Sequence, residues 1–292
     1  MSESVLQPGH VAVVTGAGSG IGAALAEAFG AAGGRVVLAD VEEGALARVG
    51  RTLSDAGVEY LTVPTDVSDL EAVERLARAT VERFGRVDVL CNNAGVSTFN
   101  ALADQTMADW RWVLGVNLWG VVNGVQTFVE RIKKHGEGGH FVNTASMAGQ
   151  IAIPGLGVYN TTKYAVVGMS ETMRADLAPH KIGVSVLCPG VVTTNIFNSG
   201  RNRPAELQGE TDNSTQLLTA DVDDAEQAAR MQQIMASALD PAVVGDMVLA
   251  AIQADDPYIF THPDLKPMVD ARSAAINESF ARWAQYRKDH GV

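Results

Sequence analysis

Cysteine is nearly missing from this chain: Cys91 and Cys188 are the 2 in 292 residues. Two distant thiols build no disulfide framework, and neither has metal-ligand spacing around it. Both are expected to be reduced and buried in a cytoplasmic protein that needs no metal. Long apolar runs are also missing. None approaches the roughly 20 residues that cross a bilayer, and the start lacks a charged stretch followed by an apolar one, so nothing directs secretion. Positive charge is scarce: 22 Lys and Arg stand against 34 Asp and Glu, a formal charge of −12. That balance argues against a nucleic-acid backbone or an anionic membrane as the main partner, and leaves a small ligand open. No repeat or low-complexity segment occurs.

What is present is a globular composition, 47% hydrophobic and 19% charged. Apolar runs of strand length at 11–15, 35–40, 60–64, 87–92, 140–144, 183–188 and 258–261 alternate with helical periods. The helices are expected at about 21–32, 42–56, 69–84, 106–135, 159–178 and 241–254. Val-rich and Leu-rich runs with little alternation, such as VAVVT and RVVLAD, suit a parallel sheet covered on both faces. The pattern predicts a single α/β domain, a doubly wound parallel sheet of the Rossmann type over about 8–262. Its ligand crevice lies beyond the carboxyl ends of the strands. Two segments break the alternation. Polar residues 191–239, with an expected helix in DDAEQAARMQQIMASAL, are placed to form a lid. The tail, 262–292, reads as a helix with Phe280, Trp283 and Tyr286 at helical spacing, packing on the body or on a neighbouring subunit.

Between the first strand and the first helix lies TGAGSGIG, with Gly16, Gly18, Gly20 and Gly22. Glycines let the backbone turn tightly and approach a pyrophosphate, while the helix N-terminus supplies N–H donors. A tight βα turn without a ligand uses the same residues, but the strand and helix on either side provide the context a dinucleotide site needs. Asp40 ends the second strand about 20 residues on, where a carboxylate accepts from both ribose hydroxyls and repels a 2′-phosphate. The next residues are Val41, Glu42 and Glu43, so no cation compensates there and NAD is favoured over NADP. Asp40 can also cap the following helix.

The segment SMAGQIAIPGLGVYNTTKY brings Ser146, Tyr159 and Lys163 around one Pro- and Gly-broken loop. Tyr159 and Lys163, at i and i+4, share a helix face. Taking a hydride from an alcohol carbon leaves a carbonyl only if the hydroxyl proton departs too. Free tyrosine, with a pKa near 10, is a poor base at neutral pH, and a nearby cation lowers that value. Lys163, together with the positive nicotinamide of an oxidised cofactor, is placed to supply the charge, and the Ser146 hydroxyl can donate to or accept from the same oxygen.

These residues resemble the short-chain dehydrogenases/reductases. TGAGSGIG is similar to that family's T-G-x-x-x-G-x-G, NNAG at 92–95 to its fourth-strand motif and YNTTK at 159–163 to its Y-x-x-x-K. Asn117 in GVNLWG, Ser146 in NTASMAG and PGVVTT at 189–194 complete the order. The resemblance implies Tyr159 as general acid/base and Lys163 on the nicotinamide ribose. It implies Ser146 on the substrate oxygen and Asn117 anchoring a water of the proton relay. It further implies a cofactor held by Gly16, Ser19, Gly20, Ile21, Gly22 and Asp40, by Asp66 and Val67 at the adenine, and by Asn93, Ala94 and Gly95. Pro189 and Gly190 continue that surface, with Val192 and Thr194 at the carboxamide.

The implied activity is NAD-dependent interconversion of a secondary alcohol and a ketone. Its pocket is expected to draw on Val96, Ser97, Met147, Gly149, Gly190 and Phe197, with Met231 or Met235 from the lid, which favours a neutral, apolar or aromatic substrate. Arg201 and Arg203 are the evident cations for a charged one. The long lid and tail look similar to the Cα-dehydrogenases of lignin-derived aryl ethers. In this family the helices at 106–135 and 159–178 form subunit interfaces, so a homodimer or homotetramer is expected. Two other readings stand beside this one: a lyase or epimerase with tightly held NAD, and an NAD-sensing regulator on the same fold.

Overall fold

The computed structural model describes residues 7–208 and 236–292. Among the described residues seven strands run parallel in the order β3-β2-β1-β4-β5-β6-β7. They are β1 Val11–Thr15, β2 Arg35–Asp40, β3 Tyr60–Pro64, β4 Val89–Asn92, β5 Gly139–Thr144, β6 Ile182–Cys188 and β7 Tyr258–Phe260. The helices are α1 Gly20–Ala31, α2 Glu43–Asp55, α3 Leu70–Phe84, α4 Met107–Leu114, α5 Gly120–Lys133 and α6 Gly157–Leu177, with α7 Pro241–Ala254 and α8 Lys266–His290 after the lid.

Period-two alternation assigns each strand residue to one of two cores. Val11 and Val13 of β1 face one cluster with Leu76, Phe128 and Val166 of α3, α5 and α6. Ala12 and Val14 face the other, with Leu25, Leu46 and Val248 of α1, α2 and α7. Because both faces are covered, the strands read as continuous apolar runs. Local chemistry sets the helix ends: Asp69 accepts from the N–H of Glu71 at 2.9 Å and Asp240 from that of Ala242 at 2.8 Å. Gly57 and Gly85 follow α2 and α3 in the left-handed region, at φ 73° and 80°.

One expected helix differs. The helix expected over 106–135 is interrupted by a π-helical turn, Gly115–Trp119, which carries Asn117. Such a turn widens the helix by one residue per bond without breaking its apolar stripe, so periodicity does not register it. Of the lid, residues 209–235, with Met231, Met235 and most of its expected helix, lie outside the described residues. The tail is a helix, but Phe280 and Trp283 remain 74% and 60% exposed. Among the described residues its base meets the body: Leu265 and Val269 pack on the core and Arg272 lies 5.2 Å over the Tyr164 ring. A helix this long reaches about 37 Å, beyond the patch that receives its first turns.

Candidate functional site

At the carboxyl ends of β1, β2, β4, β5 and β6 lies a cavity of about 570 Å³, mostly apolar. The glycine turn forms one end. Gly16 and Gly20 take positive φ, 66° and 53°, and a Cβ there would meet Ala94 backbone and Thr194 side chain, each at 2.8 Å. Gly22 faces inward, where a Cβ would collide with the Gly16 carbonyl, so its role is close packing of turn on helix. Ser19 makes no side-chain cap on α1, and Ser19, Gly20 and Ile21 line the cavity. An uncapped helix N-terminus in a Gly-lined turn fits the pyrophosphate of a dinucleotide.

Asp40 does two jobs at the edge of this turn. Its Oδ2 accepts from the Gly18 N–H at 2.9 Å and its Oδ1 from the Glu42 N–H at 3.0 Å. The carboxylate thus ties the glycine turn to the start of α2 while facing the cavity. Asp66, Val67, Asn93, Ala94, Gly95, Pro189, Gly190, Val192 and Thr194 line the same cavity. Asn93 is held by Thr15, whose hydroxyl accepts from the Asn93 N–H at 2.9 Å and whose carbonyl accepts from its Nδ2 at 3.1 Å.

At the other end, the Pro- and Gly-broken loop after β5 returns Tyr159 to Ser146. The Ser146 Oγ accepts from the Ala148 N–H at 3.1 Å, which fixes the hydroxyl at the strand end. Lys163 is buried, donates from Nζ to the Thr144 carbonyl at 2.8 Å and stands 5.3 Å from the Tyr159 ring centroid. Lys163 was expected to bring the tyrosine pKa down. In the chain by itself burial wins: it pushes Tyr159 up to about 12, against a downward pull from a Ser146 hydrogen bond. It also draws Lys163 down to about 8. Desolvation disfavours both charged forms, so a phenolate here needs further positive charge.

Asn117 stands behind this wall. Its Oδ1 accepts from the Val96 N–H at 2.8 Å, and its Nδ2 donates to the Val96 carbonyl at 2.9 Å and to the Thr162 hydroxyl at 3.3 Å. Its side chain braces the loop after β4 and does not line the cavity.

Val96, Ser97, Met147, Gly190 and Phe197, expected around the substrate, line the same cavity, whereas Gly149 packs against the Lys163 carbonyl of α6 instead. Phe197 stacks on Phe99 with centroids 5.7 Å apart. The Ser97 hydroxyl is buried without a hydrogen-bond partner. Spacing did not reveal Trp112 of α4, Leu207 of the lid, or Leu265 and Met268 from the base of the tail, all of which line the cavity. Of the two arginines, Arg203 is diverted into a buried ion pair with Asp109 at 2.6 Å and lies off the cavity. Arg111 lines it unannounced. Arg201 reaches it too, but pairs with Glu42 at 2.7 Å.

Comparison with known proteins agrees with this geometry. The family model for short chain dehydrogenases matches residues 10–205. A crystal structure of a short chain dehydrogenase/reductase from Burkholderia phymatum in complex with NAD is 41% identical, at a TM-score of 0.86, over 93% of this chain and 95% of that one. A C alpha-dehydrogenase of Sphingobium sp. strain NBRC 103272 / SYK-6 is 32% identical, over 93% of this chain and 87% of the relative. An actinorhodin polyketide ketoreductase with NADPH is 30% identical at a TM-score of 0.75, over 87% of this chain and 95% of that one. With its seven-stranded parallel sheet, glycine turn and Ser146, Tyr159 and Lys163 at one cavity, the chain belongs to the short-chain dehydrogenases/reductases, a family of oxidoreductases.

Proposed function

We propose that the protein is an NAD-dependent dehydrogenase that interconverts a bulky, apolar or aromatic secondary alcohol and its ketone. The observation that carries this is the meeting of Ser146, Tyr159 and Lys163 at one end of a cavity whose other walls are mostly apolar. When bound, the nicotinamide supplies the hydride acceptor or donor. The chain supplies position and protons. Ser146 and Tyr159 hold the substrate oxygen between two hydroxyls, and Tyr159 takes its proton during oxidation. Lys163, held by the Thr144 carbonyl, places its ammonium beside the phenol and would hold the nicotinamide ribose. Asn117 keeps the Val96 loop, and with it the pocket wall, in register.

NAD rather than NADP is supported by Asp40 and Glu42, two carboxylates at the ribose end, and by the NAD in the Burkholderia phymatum structure. The ketoreductase with NADPH shows that relatives differ here, so the preference rests on Asp40. Phe99, Trp112, Phe197, Leu207 and Met268 support a bulky substrate, with the Ser97 hydroxyl available to one polar substituent. The C alpha-dehydrogenase relative points the same way. We further propose a cytoplasmic homodimer or homotetramer: Trp119 at the start of α5 and the Phe280 and Trp283 side chains of α8 stand exposed. Sedimentation as a stable monomer would remove that part.

Incubation with NAD or NADP and a panel of aryl, alkyl and small charged secondary alcohols, read as absorbance of reduced cofactor, tests the whole reading. Turnover with NAD and bulky apolar alcohols is expected. Reaction without net cofactor change would favour a lyase or epimerase.

A further inference from the structure

The first leg of the lid crosses the cavity as a strap, Ile196–Asn202 followed by Ala205–Leu207. It is tied down at both ends, with unequal strength. On the substrate side the ties are buried. Ser199 Oγ accepts from the Ser97 N–H and donates to the Ser97 carbonyl, both at 3.1 Å. Arg203 meets Asp109 at 2.6 Å with the two side chains 4% and 0% exposed.

On the adenosine side three donors converge on one atom. Glu42 Oε1 accepts from Arg201 Nε at 3.0 Å, Arg201 Nη2 at 2.7 Å and Asn202 Nδ2 at 2.8 Å. These side chains remain part-exposed, at 31% for Arg201 and 34% for Glu42. Asn202 above all, and then Arg201, hold the Glu42 carboxyl below the ordinary carboxylate range against the opposing effect of burial. Neither partner is free to wander. The Glu42 N–H is held by Asp40, itself bonded to the glycine turn, and Arg201 Nη1 donates to the strap's own Asn198 carbonyl at 2.6 Å. Asp40, Glu42, Arg201 and Asn202 all line the cavity, so this contact spans the mouth of its ribose end.

We propose that Glu42, Arg201 and Asn202 form a side-chain latch that closes across the adenosine end of the cofactor cleft and sets how fast the dinucleotide leaves. The proposal rests on the reading that the cleft holds NAD. A solvated ion pair opens more readily than a buried one, so the Arg201 and Asn202 side chains part from Glu42 while the buried anchors on either side of them, Ser199 on Ser97 and Arg203 on Asp109, hold the strap backbone in place. The three residues are positioning residues for the cofactor and touch no reacting atom.

Stopped-flow fluorescence, with bound NADH displaced by excess NAD, measures the release rate directly, and titration gives Kd. Arg201→Ala and Glu42→Gln are each expected to release NADH about fivefold faster and to take it up faster to a similar degree, with Kd little changed, because the latch joins residues of the chain to one another and bars entry and exit alike. The exchange Glu42→Arg with Arg201→Glu restores a slow release. Unchanged release in both single variants overturns the latch alone. Weakening of NADPH but not NADH by Arg201→Ala also overturns it, and makes Arg201 a 2′-phosphate ligand. A wild-type protein that binds neither dinucleotide overturns the underlying reading, and the latch with it.

Discussion

Lys163 and Tyr159 lie one helical turn apart, with the ammonium 5.3 Å from the ring centroid and anchored on the Thr144 carbonyl. The pair shares one desolvated wall, and desolvation moves the two groups in opposite directions, Tyr159 up to about 12 and Lys163 down to about 8. Tyr159→Phe is expected to lower kcat by about a thousandfold while NADH binding, followed by fluorescence, persists. In the proposed mechanism the base acts as its phenolate, so the rate of alcohol oxidation is expected to rise with pH toward the alkaline side. Lys163→Ala moves that limb to higher pH, because the cation favouring the phenolate is gone.

Asp40 is the proposed selector of NAD over NADP, by charge and by shape. Asp40→Ala removes the carboxylate proposed to accept from the ribose, and its tie to Gly18, together. kcat/KM with NAD is expected to fall about tenfold, the loss of a charge-assisted hydrogen bond, while kcat/KM with NADP rises. Parallel measurements with both cofactors check this. A parallel fall with both would assign Asp40 to the turn alone.

His140 gives the fold a pH dependence far from the cavity. It is buried on β5, bonded through Nε2 to the Ser185 hydroxyl at 2.8 Å, and burial draws its pKa down from 6.5 to about 4. The unfolded chain therefore binds a proton, below pH 6.5, that the folded chain refuses until about pH 4. Stability is fully present above 6.5 and falls as pH drops through that window, by about 3 kcal/mol. Denaturant midpoints between pH 7 and 4 measure the slope, which His140→Gln is expected to flatten.

Asp109 and Arg203 form an ion pair without solvent. Asp109 also closes the N-terminus of α4, accepting from the Thr106 N–H at 2.8 Å, while Arg203 lies 5.2 Å over the Trp112 ring. Arg203 Nη2 has no hydrogen-bond partner even in the intact pair. Asp109→Ala leaves the guanidinium buried and unpaired, and is expected to cost about 3 kcal/mol and several degrees of Tm. Calorimetry checks this. Replacing both partners by apolar residues together is expected to cost less than the single change.

The order of elements was legible because it rests on local chemistry. Runs such as VAVVT report a strand covered on both faces, Asp240 and Pro241 report a helix start, and the spacing of Tyr159 and Lys163 places them on one helix face. The glycine turn belongs to the same class, since Gly16 and Gly20 are required by backbone angles set within a few residues.

The tertiary structure alone decided which distant groups meet. Glu42 and Arg201 are 159 residues apart, and nothing in the spacing of either points to the other. Arg203 and Asp109 are 94 apart, and their pairing takes from the pocket one of the two cations expected there. Met268 reaches the cavity only because the start of α8 folds back on the core, while Phe280 and Trp283, with the same helical period, stand clear of it. Period determines that a face is apolar. What that face meets depends on where the sheet and its loops end, and the pKa values of Tyr159 and Lys163 follow from the resulting burial.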